Sequence, residues 1–463
     1  MVNDRKVLVI GLDSAPPELV FDRFKDELPN LSHLIDNGLY ARMKSSHPPI
    51  TIPAWAVMVT GRDPGTLGIY GFRHRKPGEY NDFYIVNSRF IKARKIWDFI
   101  AEYDKKSCLV GIPPSYPPFK VNGCMVSCFI TPSAKKNYTY PITLMKEIQN
   151  LVGEYIFDVA FRIEDRDLIR DNLFDMTVKR FKVLNHFIEK KKWDFFMFVE
   201  IGLDRVHHAF WKYFDKEHHL YEPGNKYENV ILDYYKLLDE KIGDMLSKID
   251  ENTYVIVVSD HGAKRMKGAF VLNEWLIEQG YMTLKKEPEK IINISEADID
   301  WSKTVAWGWG GYYARVFINV EGREKMGIVK KSDYEDVRDQ LISDLKKIRD
   351  PNGRLMDNKV FKPEELYPVL NGDPPDLMVY FDDLYWRSAG TIGYKNLYLP
   401  ENDIGPDDAV HAQHGIFVLY DPQGTVPHKY IDEIDILDFT PTVLNLFDVN
   451  KPADLLGKNI LGE

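Results

Sequence analysis

Continuous apolar runs punctuate the chain at KVLVIGL (6–12), SCLVGI (107–112), DFFMFVEIGL (194–203), TYVIVVS (253–259), DLMVYF (376–381) and GIFVLY (415–420). A strand whose successive side chains are all apolar must be covered on both faces, so these runs predict buried strands. Stretches of helical period lie between them: ARKIWDFIAEYDKK (93–106), the segments around 168–191 and 227–249, and SDYEDVRDQLISDLKKI (332–348). Strands alternating with helices predict an α/β protein with a mostly parallel central sheet and helices on both faces. Two regions fit this plan poorly. Residues 113–165 carry the proline-rich PPSYPPF and TPSAKKNYTYP, and residues 283–370 hold the charged KKEPEK, a Trp/Gly/Tyr cluster and a helix. The reading is a core made of 1–112, 194–282 and 371–463, a helical insertion at 113–193 flanking it, and a cap insertion at 283–370 that is the candidate specificity region.

Composition narrows the class. Of 463 residues, 44% are hydrophobic, enough for a sizeable core, and the formal charge of −10 argues against a nucleic-acid-binding domain. Three cysteines, Cys108, Cys124 and Cys128, do not make a disulfide framework and are read as buried structural thiols. No signal peptide is evident, and no apolar stretch reaches the roughly 18 residues of a membrane span. The expectation is a cytoplasmic enzyme acting on a small molecule without a membrane anchor; the oligomeric state stays open.

In an open parallel sheet, ligands bind outside the carboxyl ends of the strands. The residues that follow the apolar runs are Asp13, Asp204 with His207 and His208 behind it, Asp260-His261, Asp382 and Asp421. Asp often ends a strand as a turn former, which is the reading for Asp382 and Asp421. A carboxylate and an imidazole together at a strand end, as in Asp260-His261, make a ligand pair for Zn²⁺ or Mn²⁺. Asp204 and His208, four apart, share one face of a helical turn. In SSHPPITIPAWAVMVTGRDPGTLGIYGF (45–72), prolines bracket Thr51 ahead of an apolar stretch, Ala54–Thr60, suited to a buried helix. Thr51 is there either an ordinary N-cap or a nucleophile held near a helix N-terminus. In TVAWGWGGYYARVFIN (304–319), a packed hairpin and a substrate wall are both open readings. On the second, Trp307, Trp309 and Tyr312 would stack on a base or sugar and Arg315 would pair with phosphate.

Taken in order along the chain, Asp after the first strand, Thr in P-x-T-x-P, D-x3-H, DHG and a late His resemble the alkaline phosphatase superfamily. The nearest branch it resembles is the type I phosphodiesterase/nucleotide pyrophosphatase group, and within that the predicted prokaryotic phosphohydrolase/phosphomutase proteins. The resemblance covers Val7 to about Pro422 and implies an alkaline phosphatase-like fold with two divalent metal ions, zinc first and manganese as the alternative. It implies one metal on Asp13, Asp260 and His261 with Thr51 as bridging nucleophile, and another on Asp204, His208 and a late histidine. In HAQHGIFVLYDP (411–422), the late histidine is His411 by its spacing to Gly415, with His414, directly before Gly415, as the alternative. The implied activity is hydrolysis of phosphate diesters or monoesters through a phosphothreonine; the alternatives are phosphotransfer between sugar hydroxyls and a non-catalytic member of the fold. The chain departs from the pyrophosphatase pattern H-G-I-x-G-N: Leu67 and Phe72 stand where that pattern has His and Asn. Arg73 and Arg75, close behind, are the candidates to hold the phosphoryl oxygen instead. Thr51 and Trp55 also lack the Cys or Ser and the Arg of a sulfatase motif, which disfavours sulfate-ester hydrolysis.

Overall fold

Five of the six apolar runs enter one nine-stranded sheet in this computed structural model, which describes residues 4–462. In chain order the strands are β1 (Lys6–Leu12), β2 (Leu39–Lys44), β3 (Ser107–Val110), β4 (Gly123–Val126), β5 (Thr139–Tyr140), β6 (Phe195–Glu200), β7 (Thr253–Val258), β8 (His414–Tyr420) and β9 (Lys429–Asp435). Their spatial order is β9-β2-β8-β7-β1-β6-β3-β4-β5. Strands β7, β1, β6, β3 and β4 are parallel. Strand β8 runs antiparallel to both its neighbours, and β5 runs antiparallel to β4.

The absence of alternation in these runs has a direct cause. Leu8, Ile10, Phe196, Phe198, Val255 and Val257 pack into one apolar layer with the helices Arg166–Lys190, Gly202–Phe214 and Val230–Leu246. Val7, Val9, Phe195, Met197, Ile256 and Val258 pack on the other face with the helices Thr51–Thr60, Ile96–Ile100 and Phe439–Leu446. Both sides of every central strand are therefore removed from water, the main favourable term in holding the sheet.

The run 194–203 is a strand only as far as Glu200. The buried Glu200 carboxylate accepts the Gly202 N–H at 2.9 Å and a guanidinium N–H of Arg180 at 2.9 Å, and the chain turns there into the helix Gly202–Phe214. The run DLMVYF lies outside the central sheet. Its strand, Leu377–Tyr380, pairs with Ala314–Ile318 and Lys359–Phe361 in a four-stranded antiparallel sheet that also holds Ala306–Trp309. This smaller sheet has its own core, built on Trp307, Phe317, Leu341 and Leu377. The proline-rich region 113–165, by contrast, contributes β4 and β5 to the main sheet. The cysteines are all buried, with Cys108 and Cys124 opposite one another on β3 and β4.

Candidate functional site

Asp13 follows β1, Asp260 and His261 follow β7, and Asp204 sits in the first turn of the helix that follows β6. Because β7, β1 and β6 are adjacent and parallel, their carboxyl ends bring the three carboxylates to one place. His411 arrives from the strand Ala409–Ala412, which pairs antiparallel with Gly262–Arg265, so that His411 lies opposite Ala263. Thr51 is the first residue of the buried helix Thr51–Thr60, one turn longer at its start than the apolar stretch indicates. The N-cap is Ile50, in extended conformation, and no side chain caps the helix. Thr51 is thus not the cap that its setting allowed. Pro53 is accommodated because N–H groups in a first helical turn have no intrahelical acceptor.

One oxygen of each carboxylate is held by the protein. Asp13 Oδ2 accepts the indole N–H of Trp55 at 2.7 Å, Asp260 Oδ1 accepts the Ser14 N–H at 3.2 Å, and Asp204 Oδ2 accepts a guanidinium N–H of Arg205 at 2.5 Å. The other three oxygens, Asp13 Oδ1, Asp260 Oδ2 and Asp204 Oδ1, are buried without a hydrogen-bond partner. They face imidazole nitrogens. His261 Nε2 lies 3.2 Å from Asp260 Oδ2 and 3.8 Å from Asp13 Oδ1. Asp204 Oδ1 lies 3.2 Å from His208 Nε2 and 3.7 Å from His411 Nε2. Each ring is oriented through its other nitrogen: His261 Nδ1 contacts Gly262 O at 3.0 Å, His411 Nδ1 contacts Pro49 O at 2.7 Å, and His208 Nδ1 contacts Asp407 Oδ1 at 2.7 Å. A proton on Nδ1 of His261 and of His411 leaves their Nε2 lone pairs directed inward, the arrangement of metal-ligating histidines.

Donor atoms of Asp13, Asp260 and His261 lie within 4.8 Å of one another, as do those of Asp204, His261 and His411. The residues present therefore fit divalent cations: unpartnered carboxylate oxygens and oriented imidazoles converge, and a buried anion without a partner is costly. The first triad is the set expected for one metal. The second contains His261 beside Asp204 and His411, while His208, also beside Asp204, shares its Nε2 with the Tyr312 hydroxyl at 3.1 Å.

The electrostatics express the same crowding. Burial, reinforced by the Asp204 charge, pushes the Asp13 carboxyl well up, and burial next to Asp13 does the same to Asp260. Asp204 is also buried, but His208, Arg205 and His411 hold it well below the carboxylate range. Burial lowers His261 to about 4, and burial beside His261 lowers His411 well below the usual range. His208 resists its burial because Asp407, Tyr312 and Asp204 raise it.

Thr51 Oγ1 lies 3.5 Å from His261 Nε2. It opens, with Asp204 and His411, onto a cavity of about 340 Å³ whose wall includes Phe72, Arg73, Tyr312 and Arg315. Trp309 lines an adjoining hollow of about 160 Å³ that shares Arg73, Gly310, Gly311, Arg315, Arg387 and Ile404 with the first. The cluster at 304–319 is an antiparallel hairpin that serves both as core and as wall: Trp307 is buried, and Trp309, Tyr312 and Arg315 face the hollows.

Two candidates lie elsewhere. Arg75 is buried outside the cavity, with Nε and Nη2 donating to Asp373 at 2.7 and 2.9 Å and Nη1 donating to Glu324 at 2.8 Å. With its guanidinium committed to two carboxylates away from the cavity, Arg75 does not line the site, and Arg73 is the member of that pair on the cavity wall. His414 sits in β8 opposite Lys44, and its Nε2 is 2.7 Å from a Glu433 carboxylate. His207 packs edge-on against Trp211 and contacts the Tyr235 hydroxyl at 3.3 Å. Asp382 has φ 46° in a turn and binds Lys267 at 2.7 Å, the structural role expected of it.

Sequence reasoning missed the residues that hold this cluster from behind: Trp55, Arg205 and Asp407. Asp407 is buried and accepts from Arg162 at 2.9 Å and Arg387 at 2.6 Å while contacting His208. The one available signal was the acidic doublet Asp407-Asp408 directly ahead of the strand that carries His411.

The family model for type I phosphodiesterase / nucleotide pyrophosphatase matches residues 7–416. The chain belongs to that family. Its members are metal-dependent, and membership makes this chain a hydrolase of phosphoric ester bonds in the alkaline phosphatase superfamily. Among solved structures, murine ectonucleotide pyrophosphatase / phosphodiesterase 5, as an inactive variant in complex with AMP, superposes with TM-score 0.56 at 15% identity, covering 98% of this chain and 97% of that one. The human protein of the same name superposes equally well, with TM-score 0.56 at 14% identity over 97% of this chain and 96% of the other. At such identities the likeness is one of fold. No curated protein matches the sequence significantly. Among the described residues, no helix is long and apolar enough to cross a membrane.

Proposed function

We propose that this phosphoesterase works through a phosphothreonine on Thr51, with two divalent cations, zinc by the character of the donors, held by Asp13, Asp260 and His261 and by Asp204, His208 and His411. The observation that carries the reading is the set of three buried, unpartnered carboxylate oxygens beside the Thr51 hydroxyl's imidazole neighbour. Such cations supply Lewis-acid charge that lowers the hydroxyl's pKa and offsets charge on the phosphoryl oxygens.

The chain's own residues do the rest. The Thr51 oxygen, fixed at the start of a buried helix, attacks phosphorus in line; the bond to the leaving alcohol breaks and that alcohol departs with a proton. Water then attacks the same phosphorus, the bond to Thr51 breaks, and phosphate or a phosphomonoester leaves with the threonine hydroxyl restored. Trp55, Ser14 and Arg205 hold the three carboxylates in orientation, and the carbonyls of Gly262 and Pro49 hold two of the rings. Phe72, which takes the place of the Asn in the pyrophosphatase pattern, lines the cavity onto which Thr51 opens, with Arg73 next to it on the wall.

The test is hydrolysis of p-nitrophenyl phosphate, bis(p-nitrophenyl) phosphate and p-nitrophenyl sulfate by metal-stripped protein, before and after addition of Zn²⁺ or Mn²⁺. The expected result is metal-dependent turnover of a phosphate ester, none of the sulfate, and loss of at least about a thousandfold in Thr51→Ala with metal content retained, since a covalent nucleophile has no substitute. Full turnover in Thr51→Ala would refute the phosphothreonine.

A further inference from the structure

Five arginines line the main cavity, Arg73, Arg162, Arg205, Arg315 and Arg387. Three are ion-paired: Arg162 and Arg387 share Asp407, and Arg205 meets Asp158 and Asp204. Among the described residues, no carboxylate pairs with Arg73 or Arg315, and both stand on the wall shared by the two hollows. Each guanidinium is backed by an aromatic ring. Arg73 lies 5.2 Å from the Phe83 ring centre and Arg315 lies 5.2 Å from that of Trp309. Phe83 and Trp309 meet edge to face at 6.0 Å, and an Arg315 guanidinium N–H donates to the Arg73 carbonyl. The four side chains form one supported unit with two like charges; the one acid lining the Trp309 hollow, Asp403, is bound to the Gly390 N–H and the Thr391 hydroxyl. A guanidinium presents the paired N–H groups that match phosphate or carboxylate, and two of them on one wall concentrate positive charge where an anion can reach it.

We propose that Arg73 and Arg315 form a second anion subsite, so that the preferred substrate is a phosphate ester whose alcohol part bears a further phosphate or carboxylate. This rests on the phosphoesterase reading above: the scissile phosphoryl group occupies the Thr51 end of the cavity, and the second anion lies on the partition toward the Trp309 hollow. The unpaired cations come from two separate parts of the chain, the segment after Phe72 and the cap hairpin. The cap thereby contributes specificity through charge rather than through the ring stacking its aromatic content first indicates.

The experiment compares p-nitrophenyl phosphodiesters with one leaving group and three second alcohols: phosphonoethyl, carboxyethyl and the uncharged carbamoylethyl. The metal-loaded enzyme is expected to favour the anionic esters over the neutral one by about tenfold or more in kcat/KM. Arg73→Gln/Arg315→Gln is expected to bring that ratio to near one; Arg73→Gln alone, on an exposed side chain, reduces it without risk to the fold. The ratio, not the absolute rate, is the readout. In parallel, calorimetry on the same proteins compares propane-1,3-bisphosphonate with propylphosphonate, and the wild type alone should bind the bisphosphonate about tenfold more tightly. A wild-type ratio near one, or a ratio that survives in the double variant, overturns the proposal. Absence of Thr51-dependent turnover of every ester would count against the phosphoesterase reading instead, and the calorimetric ratio then decides the subsite by itself.

Discussion

Replacing Asp407 by Asn keeps the shape of the side chain and removes one charge from a buried cluster. The carboxylate accepts from Arg162 at 2.9 Å and from Arg387 at 2.6 Å, and it holds His208 Nδ1 at 2.7 Å. Both guanidiniums donate to one oxygen, Oδ2, and His208 sits on the other, so an asparagine that keeps its acceptor toward the arginines turns its N–H groups onto His208 Nδ1 and leaves two cations on a neutral oxygen. Removing one partner of a buried ion pair costs about 3–5 kcal/mol, because the remaining charge stays buried and uncompensated. Urea unfolding of the metal-stripped proteins at pH 7 reads this directly. Burial alone would raise the Asp407 pKa, but His208, Arg162 and Arg387 depress it below the ordinary carboxylate value. Its stabilising contribution is therefore full above the unfolded-state pKa of about 3.9 and is lost as pH falls through the lower folded-state value. The gap between wild type and Asp407→Asn should accordingly show no acid loss from this carboxylate down to about pH 4 and should narrow below it. A cost under about 1 kcal/mol at neutral pH, the worth of a solvent-exposed pair, would refute the argument. So would an unchanged gap at pH 2.

Three other outcomes follow from the geometry. His411→Gln should reduce bound metal, counted by mass spectrometry of the digested protein, whereas His414→Gln should leave it unchanged because that ring pairs with Glu433; the reverse result would reassign the late histidine. Gly11→Ala should destabilise by about 1–3 kcal/mol in chemical denaturation. A Cβ at Gly11 would stand 2.7 Å from the Phe198 carbonyl oxygen and 2.8 Å from the Trp55 ring, so that variant should also lower metal affinity by displacing the indole that holds Asp13. Arg75→Gln should cost about 3–5 kcal/mol of stability by stranding Asp373 and taking from Glu324 one of its two guanidinium partners, yet leave the preference among ester substrates as it was; a changed preference would return Arg75 to the substrate wall.

Much of the sheet was legible because burial on both faces leaves a continuous apolar signature, as in β1 and β7. The strand Leu377–Tyr380 carries the same signature for a different reason: it is central in the smaller sheet and covered there too. Apolar continuity reports burial and does not report which sheet provides it. The candidate ligands could be read because a parallel strand's carboxyl end is a fixed position relative to its neighbours. The residues behind them could not. Trp55 reads as one more apolar residue of a buried helix, and Arg205 as one more charge. Their roles come from which side chain they meet in space, and local pattern does not encode that. The choice of Arg73 over Arg75 was equally invisible, since a three-residue strand puts the two on the same side and only the distant acids Glu324 and Asp373 separate them.

Tyr312 belongs to the turn between the strands Ala306–Trp309 and Ala314–Ile318, yet its ring lies flat on His411 at 3.8 Å between centroids, and His411 lies on His261 at the same separation. The three rings form a stack that runs from the hairpin into the carboxylate cluster. Any attempt to retarget this enzyme by exchanging the hairpin for another loop would therefore be a graft with a fixed anchor point. Positions 309 and 315 are open to redesign, but a loop that does not return a planar ring at position 312 would unseat a histidine several strands away.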